Sequence, residues 1–166
     1  NSPEILHDIH FTMKAGTPLG ILGGTGSGKS TLMLLLDKLY PLEDGCGSIA
    51  SGGTVIRKIR TAHLRRNIGM VLQEPYLFSR TIAENIGICS PEIDLEQIRS
   101  AARAAALDDT VMSFAQGYET MVGERGVTLS GGQKQRAAIA RTLMAQTPIL
   151  VFDDSLSAVD TQTDAK

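Results

Sequence analysis

The stretch "PLGILGGTGSGKSTLMLLLDKL", residues 18–39, changes texture twice. A short apolar run gives way to a glycine-rich loop, and the loop to a leucine-rich segment that closes before Pro41. That order predicts a strand over residues 18–24, a loop, and a helix over residues 28–39. Within it, residues 23–30 read G-x-x-x-x-G-K-[ST], a pattern that binds phosphate when it lies between a strand and a helix, as it does here. Glycines let the backbone wrap an anion, the helix start aims N–H groups at it, and Lys29 adds a positive charge. The Ser30 hydroxyl is a candidate ligand for Mg²⁺. A plain glycine-rich turn with a surface lysine would share the composition but has no need of that context.

Two further stretches carry matching chemistry. "ILVFDD", residues 149–154, follows Pro148 and predicts a short strand buried on both faces. It ends in Asp153 and Asp154, at the carboxyl end of a strand, where an open α/β sheet places ligand-binding groups. A carboxylate there can hold magnesium directly or through water, although the two acids could also simply cap the next segment. "LSGGQKQR", residues 129–136, sets a serine hydroxyl and two glycine N–H groups at a helix start, a second anion site. Ser130 and Gln133 also satisfy the S-x-x-Q capping box, which on an isolated helix would account for them alone. Beside a phosphate loop and an acidic strand end, two anion sites suggest nucleotide held between two copies or two partners.

Composition narrows the classes. The net charge of −2 gives no bulk attraction to nucleic acid or anionic membrane, and no nucleic-acid partner is expected. The basic cluster "RKIRTAHLRR", residues 57–66, has no interleaved aromatics and reads as a solvated, helix-flanking face. No apolar run approaches the roughly 18 to 20 residues of a membrane-spanning helix. Cys46 and Cys89 lie far apart with no CxxC, so neither a disulfide framework nor a zinc site is indicated, and a reduced, cytosolic setting fits. The chain starts at Asn1 and stops in "TDAK", the look of a helix just beginning; the expectation is one domain truncated at both ends.

Along the chain, "SIASGGTVI" predicts two short strands around Gly52 and Gly53, and "NIGMVLQ", residues 67–73, a strand. "DLEQIRSAARAAALDDTVMSF", residues 94–114, reads as helical, with Asp94 and Gln97 spaced as N-cap and N3. Its alanine-rich part, residues 100–106, reads as tight helix packing. The expectation is an α/β core of residues 1–73 and 118–166 with a helical subdomain inserted at residues 74–117.

Four stretches, "GGTGSGKST", "VLQEPYLFSRTIAENI", "GERGVTLSGGQKQRAAIARTL" and "ILVFDDSLSAVD", resemble in order and spacing the nucleotide-binding domain of ATP-binding cassette (ABC) transporters, over nearly the whole chain. "YLFSRTIAENI" and "GERG" are similar to the exporter branch. The resemblance implies a P-loop NTPase core of the RecA-like α/β type, mostly parallel sheet flanked by helices, with a β subdomain and an inserted helical subdomain. It implies ATP and Mg²⁺ as cofactors and hydrolysis that powers export. Gly23, Gly24, Thr25, Gly26, Ser27, Gly28, Lys29, Ser30 and Thr31 would form the Walker A loop. Gln73 would be the Q-loop glutamine, and Asp153 the Walker B aspartate. Ser30, Gln73 and Asp153 would hold the metal, with Gln73 and Asp154 at the catalytic water. Ser130, Gly131, Gly132 and Gln133 would be the signature offered to a partner's nucleotide, and Ser157, Ala158, Val159 and Asp160 the D-loop. The implied partners are a second cassette, as a homodimer or heterodimer, and a transmembrane domain of the same polypeptide reached through residues 73–78. The implied place is the cytoplasmic face of the inner membrane. The alternatives are a soluble ABC ATPase acting on DNA or ribosomes, and a regulatory half with little turnover.

Three departures qualify the resemblance. The family's adenine-stacking aromatic lies upstream of this sequence and its switch histidine downstream, and none of His7, His10 and His63 stands in for the latter. The glutamate that normally follows the Walker B aspartate is Asp154. A general base must reach its water at about 2.6–3.2 Å, and aspartate is one methylene shorter than glutamate. Losing such a base typically costs about 10²- to 10⁴-fold in rate. One reading is an impaired site, as in one half of many heterodimeric exporters; the other is a shifted backbone or relaying water that lets Asp154 act.

Overall fold

The computed structural model describes residues 5–92, 94–123 and 126–153. The chain divides into two compact units, Asn1–Arg65 and Arg66–Lys166.

In the first unit, helix α1 spans Lys29–Leu36 and ends earlier than the sequence predicts. Lys38 takes φ 54°, a left-handed turn that stops the helix three residues before Pro41. Arg65 closes this end, donating to the carbonyls of Asp37 and Lys38 and pairing with the Asp37 carboxylate at 3.3 Å. A cation there suits the negative end of the helix dipole. Strands β1 (Ala50–Ser51) and β2 (Thr54–Val55) form an antiparallel hairpin in the register Ala50↔Val55. Gly52 and Gly53 have φ 55° and 75°, so the two-residue turn needs glycine at both places. A 3-10 turn, Ile56–Lys58, buries Ile56, and Arg57 binds the Asp44 carboxylate and the Glu43 carbonyl. The basic cluster is thus an exposed face, as its sequence suggests, with Arg57 and Arg65 tied to local acceptors. Helix α2 (Thr61–Asn67) follows.

The strand expected over residues 18–24 is a correction. These residues are in no ladder among the described residues, and Leu22 is 98% exposed. Apolar content alone does not make a strand; its N–H and C=O groups need a neighbouring strand to pair with.

The second unit carries strands β3 (Ile68–Val71) and β4 (Ile149–Phe152), paired in parallel with Val71 opposite Phe152. The expectation that β4 is buried on both faces is not met, because Leu150 and Phe152 are exposed on one side. Only β3 pairs with it among the described residues. Gly69 on β3 marks a close approach: a Cβ there would lie 2.6 Å from Thr142 Cγ2 and 2.5 Å from Thr147 Oγ1.

This unit also carries helices α3 (Ile82–Ile86), α4 (Leu95–Ala104), α5 (Asp108–Met112) and α6 (Gly131–Met144), of which α6 packs against β3 while α3 and α4 pack against α6. Asp94 caps α4 through the N–H groups of Glu96 and Gln97, as its spacing predicts. The single helical stretch read over residues 94–114 is two helices, broken where Ala106 takes φ 52°. Ile82, Ile86, Ile98, Ala102, Val111, Ala137 and Ala140 share one buried core, with alanines letting α4 and α6 pack closely. A polar brace sits at its edge. Arg99 forks onto both Asp108 oxygens at 3.1 Å, and Tyr118 Oη donates to Asp108 Oδ1 at 2.7 Å. The Arg99 bonds hold the Asp108 carboxyl below its usual range, while burial and the bond to Asp108 push the Tyr118 phenol up. Cys46 and Cys89 are both exposed free thiols. No helix among the described residues is long and apolar enough to cross a membrane.

Candidate functional site

Each unit contributes its own part. In the first, Gly28 is the N-cap of α1 with φ 90°, and no side chain caps the helix start. A Cβ on Gly28 would lie 2.6 Å from Leu6 Cδ2, so both backbone and space require glycine. Lys29 Nζ donates to the carbonyls of Gly23 at 2.7 Å and Gly24 at 2.8 Å. This folds the ammonium group back over the loop that carries Thr25, Gly26 and Ser27. Ser30 is exposed and Thr31 half-buried at the head of α1. A positive group beside uncapped helix N–H groups is an arrangement that takes a polyanion.

In the second unit, the parallel register carries Gln73 and Asp153 to the carboxyl ends of adjacent strands. Gln73 is exposed and Asp153 is 6% exposed, its backbone N–H bonded to the Val71 carbonyl at 2.9 Å. No side chain among the described residues bonds the Asp153 carboxylate. A carboxylate at the carboxyl end of a strand stands where an α/β sheet places ligand-binding groups, and it can hold a cation directly or through water. No group of three or more His, Cys, Asp or Glu side chains among the described residues could hold a metal on its own. Magnesium is commonly held by one or two protein oxygens plus substrate phosphates, and the Asp153 carboxylate and Gln73 amide are oxygen donors of that kind.

The signature residues head α6. Ser130 Oγ accepts from Gln133 N at 3.3 Å, and Gln133 Oε1 accepts from Ser130 N at 2.9 Å. The expected capping box is present. The Ser130 hydroxyl keeps its proton to donate outward, and Gly131 has open space where a side chain would stand. Asp154, Ser157, Ala158, Val159 and Asp160 lie outside the described residues.

Sequence reasoning missed three features. Thr81 and Glu84 form a second capping box at α3, legible from the same rule. Asn85, 1% exposed, accepts from Phe78 N and donates to the carbonyls of Phe78 and Thr81. Gln135, 2% exposed, donates to the Leu72 carbonyl at 3.3 Å. Asn85 ties down the turn just before its own helix, whereas Gln135 reaches a partner 63 residues away that no local signal marks.

With this geometry in place, the relatives are informative. Residues 6–157 match the family described as ABC transporter. The chain is 43% identical over 159 residues to the multidrug resistance-like ATP-binding protein MdlA of Escherichia coli (strain K12), covering 96% of this chain and 27% of that protein. It is 43% identical over 166 residues to the beta-(1→2)glucan export ATP-binding/permease protein NdvA of Rhizobium johnstonii, covering 100% of this chain and 28% of that protein. The solved structure of a bacterial Atm1-family ABC exporter with ATP bound matches with a TM-score of 0.78 at 42% identity, over 85% of this chain and 24% of that one. The chain belongs to the ABC transporter family, as an exporter-type ATP-binding cassette with the P-loop NTPase fold. It spans about a quarter of the length of these relatives.

Proposed function

We propose that this cassette binds Mg-ATP and, paired head to tail with a second cassette, powers export through a transmembrane domain of the same polypeptide. The observation that carries this is the uncapped start of α1 with Lys29 folded over its loop. Lys29 and the α1 N–H groups would bind the β- and γ-phosphates; Ser30, Gln73 and Asp153 would hold the magnesium. That ion, when bound, neutralises charge on the phosphate oxygens. Ser130, Gly131 and Gly132 donate to nucleotide bound by the partner cassette, and residues 157–160 line the dimer seam. Residues 74–117 form the helical subdomain, and residues 73–78 meet the membrane domain at the cytoplasmic face of the membrane. The relatives support the export reading, since NdvA is an export ATP-binding/permease protein.

Asp154 makes this chain's own site the weaker of an unequal pair. An aspartate side chain is one methylene shorter than the usual glutamate, which makes it a poorer base for the proton that leaves as the water oxygen bonds phosphorus. A second cassette with the usual glutamate would then be the competent site, which favours a heterodimer. The same residue supports the second reading, a half that binds ATP and regulates more than it hydrolyses.

The test is ATPase turnover of the full-length assembly. Asp154→Glu should raise the rate and Asp154→Asn should change it little, while glutamine for the partner's glutamate should remove most activity. A collapse with Asp154→Asn as deep as the partner's would show Asp154 to be a working base.

A further inference from the structure

Helix α6 carries more than the signature at its head. Arg141, on the same helix, donates from Nε to the Asn85 carbonyl at 2.8 Å, from Nη1 to the Tyr76 carbonyl at 3.0 Å, and from Nη2 to Asn85 Oδ1 at 3.1 Å. Its guanidinium carbon lies 5.8 Å from the centre of the Phe78 ring, which meets Tyr76 edge-on at 5.2 Å. Closer to the head, Gln135 holds the Leu72 carbonyl. The segment that begins at Gln73 is therefore fastened to α6 at both of its ends.

Stability alone is a poor account of Arg141. Among the described residues its hydrogen-bond acceptors are all neutral oxygens, and a half-buried guanidinium without a carboxylate is an expensive way to join two elements. Its fork is instead suited to fixing direction, because three bonds from one rigid plane leave no rotation. Geometry adds a lever. At a rise of about 1.5 Å per residue, Gln135 lies roughly 8 Å and Arg141 roughly 16 Å along α6 from Ser130. One anchor would let the helix pivot, whereas two anchors at different distances do not.

We propose that Arg141 and Gln135 are positioning residues that make α6 and the segment from Leu72 to Asn85 move as one body, so that displacement of Tyr76 and Phe78 is delivered to Ser130. This deepens the proposed function and rests on the reading that residues 73–78 meet the membrane domain. Neither residue touches nucleotide; they act through the placement of Ser130 and Gln73.

Hydrogen exchange on the full-length membrane protein, with and without Mg-ATP, tests it. In the unmodified protein, peptides covering residues 76–80 and 130–134 should change protection together. In Arg141→Gln the response at residues 130–134 should persist while that at 76–80 falls by about half or more. Turnover should drop about 10- to 100-fold, from misplacement, with KM for ATP within about twofold. Arg141→Lys, which keeps the charge but not the fork, should lie between. If Arg141→Gln does not fold, Gln135→Met breaks the other anchor and carries the same expectation. Both peptides responding equally in the variants, or KM rising at unchanged kcat, would overturn the proposal. Crosslinking from Tyr76→Cys to the membrane domain separates the two ideas: no crosslink in an otherwise unmodified protein sinks the docking reading, while joint exchange at the two peptides still reports the coupling within the cassette.

Discussion

Helices α1 and α6 both begin with glycines and small hydroxyl residues, yet they begin in opposite ways. The head of α1 is a left-handed glycine with no side-chain cap; the head of α6 is closed by Ser130 and Gln133 in a reciprocal box. A glycine N-cap costs only about a few tenths of a kcal/mol relative to a capping side chain, less than alanine would. The first helix accepts that cost and keeps its N–H groups for a ligand. The second satisfies its own start and offers what remains, a hydroxyl proton and two glycine N–H groups. One head leaves its N–H groups without a side-chain cap, and the other is closed by its own side chains.

The strongest way to break this contrast is at Lys29. Lys29→Ala removes charge-assisted hydrogen bonds worth about 1.5–3 kcal/mol, so Mg-ATP affinity in the full-length protein should fall roughly 10- to 100-fold by calorimetry, with the melting temperature unchanged. Unchanged affinity would mean that the α1 head is not the phosphate site. Next comes the support beneath α6. Gly69→Ala forces a methyl against Thr142 and Thr147 and should lower stability by about 1–3 kcal/mol in thermal unfolding. A neutral outcome would show that α6 is free to shift away from β3.

Ser130→Ala is the mirror of the lysine change. It should lower stability by about 1 kcal/mol through the lost cap, while leaving nucleotide bound by this chain's own loop unaffected. Loss of that nucleotide instead would erase the distinction between the two heads. The smallest effect concerns pH. Arg99 lowers the Asp108 pKa, so the carboxylate stabilises the fold above its unfolded pKa, and that contribution is lost as pH falls through the lower folded value. Asp108→Asn should flatten the acid side of the stability profile below about pH 4, read by denaturant melts.

What the sequence disclosed follows the same division. The α1 loop, the Ser130 and Asp94 caps and the Gly52-Gly53 hairpin are set by residues within a few positions of each other, and each is present. The two ties of α6 are not local: Gln135 reaches back 63 residues and Arg141 reaches back 56 to Asn85. Neither residue type announces such a partner. Exposure of Leu22, Leu150 and Phe152 was equally hidden, because whether an apolar run is covered depends on neighbours rather than on the run. Asp154 is legible in sequence as one methylene fewer than the family's usual glutamate and lies outside the described residues.

The two cysteines have a practical consequence. Cys46 lies in the first unit and Cys89 in the second, and both thiols are open to reagent. Nature has supplied an address on each half of this chain. A dye on either thiol would report on the surroundings of its own unit as nucleotide arrives and leaves.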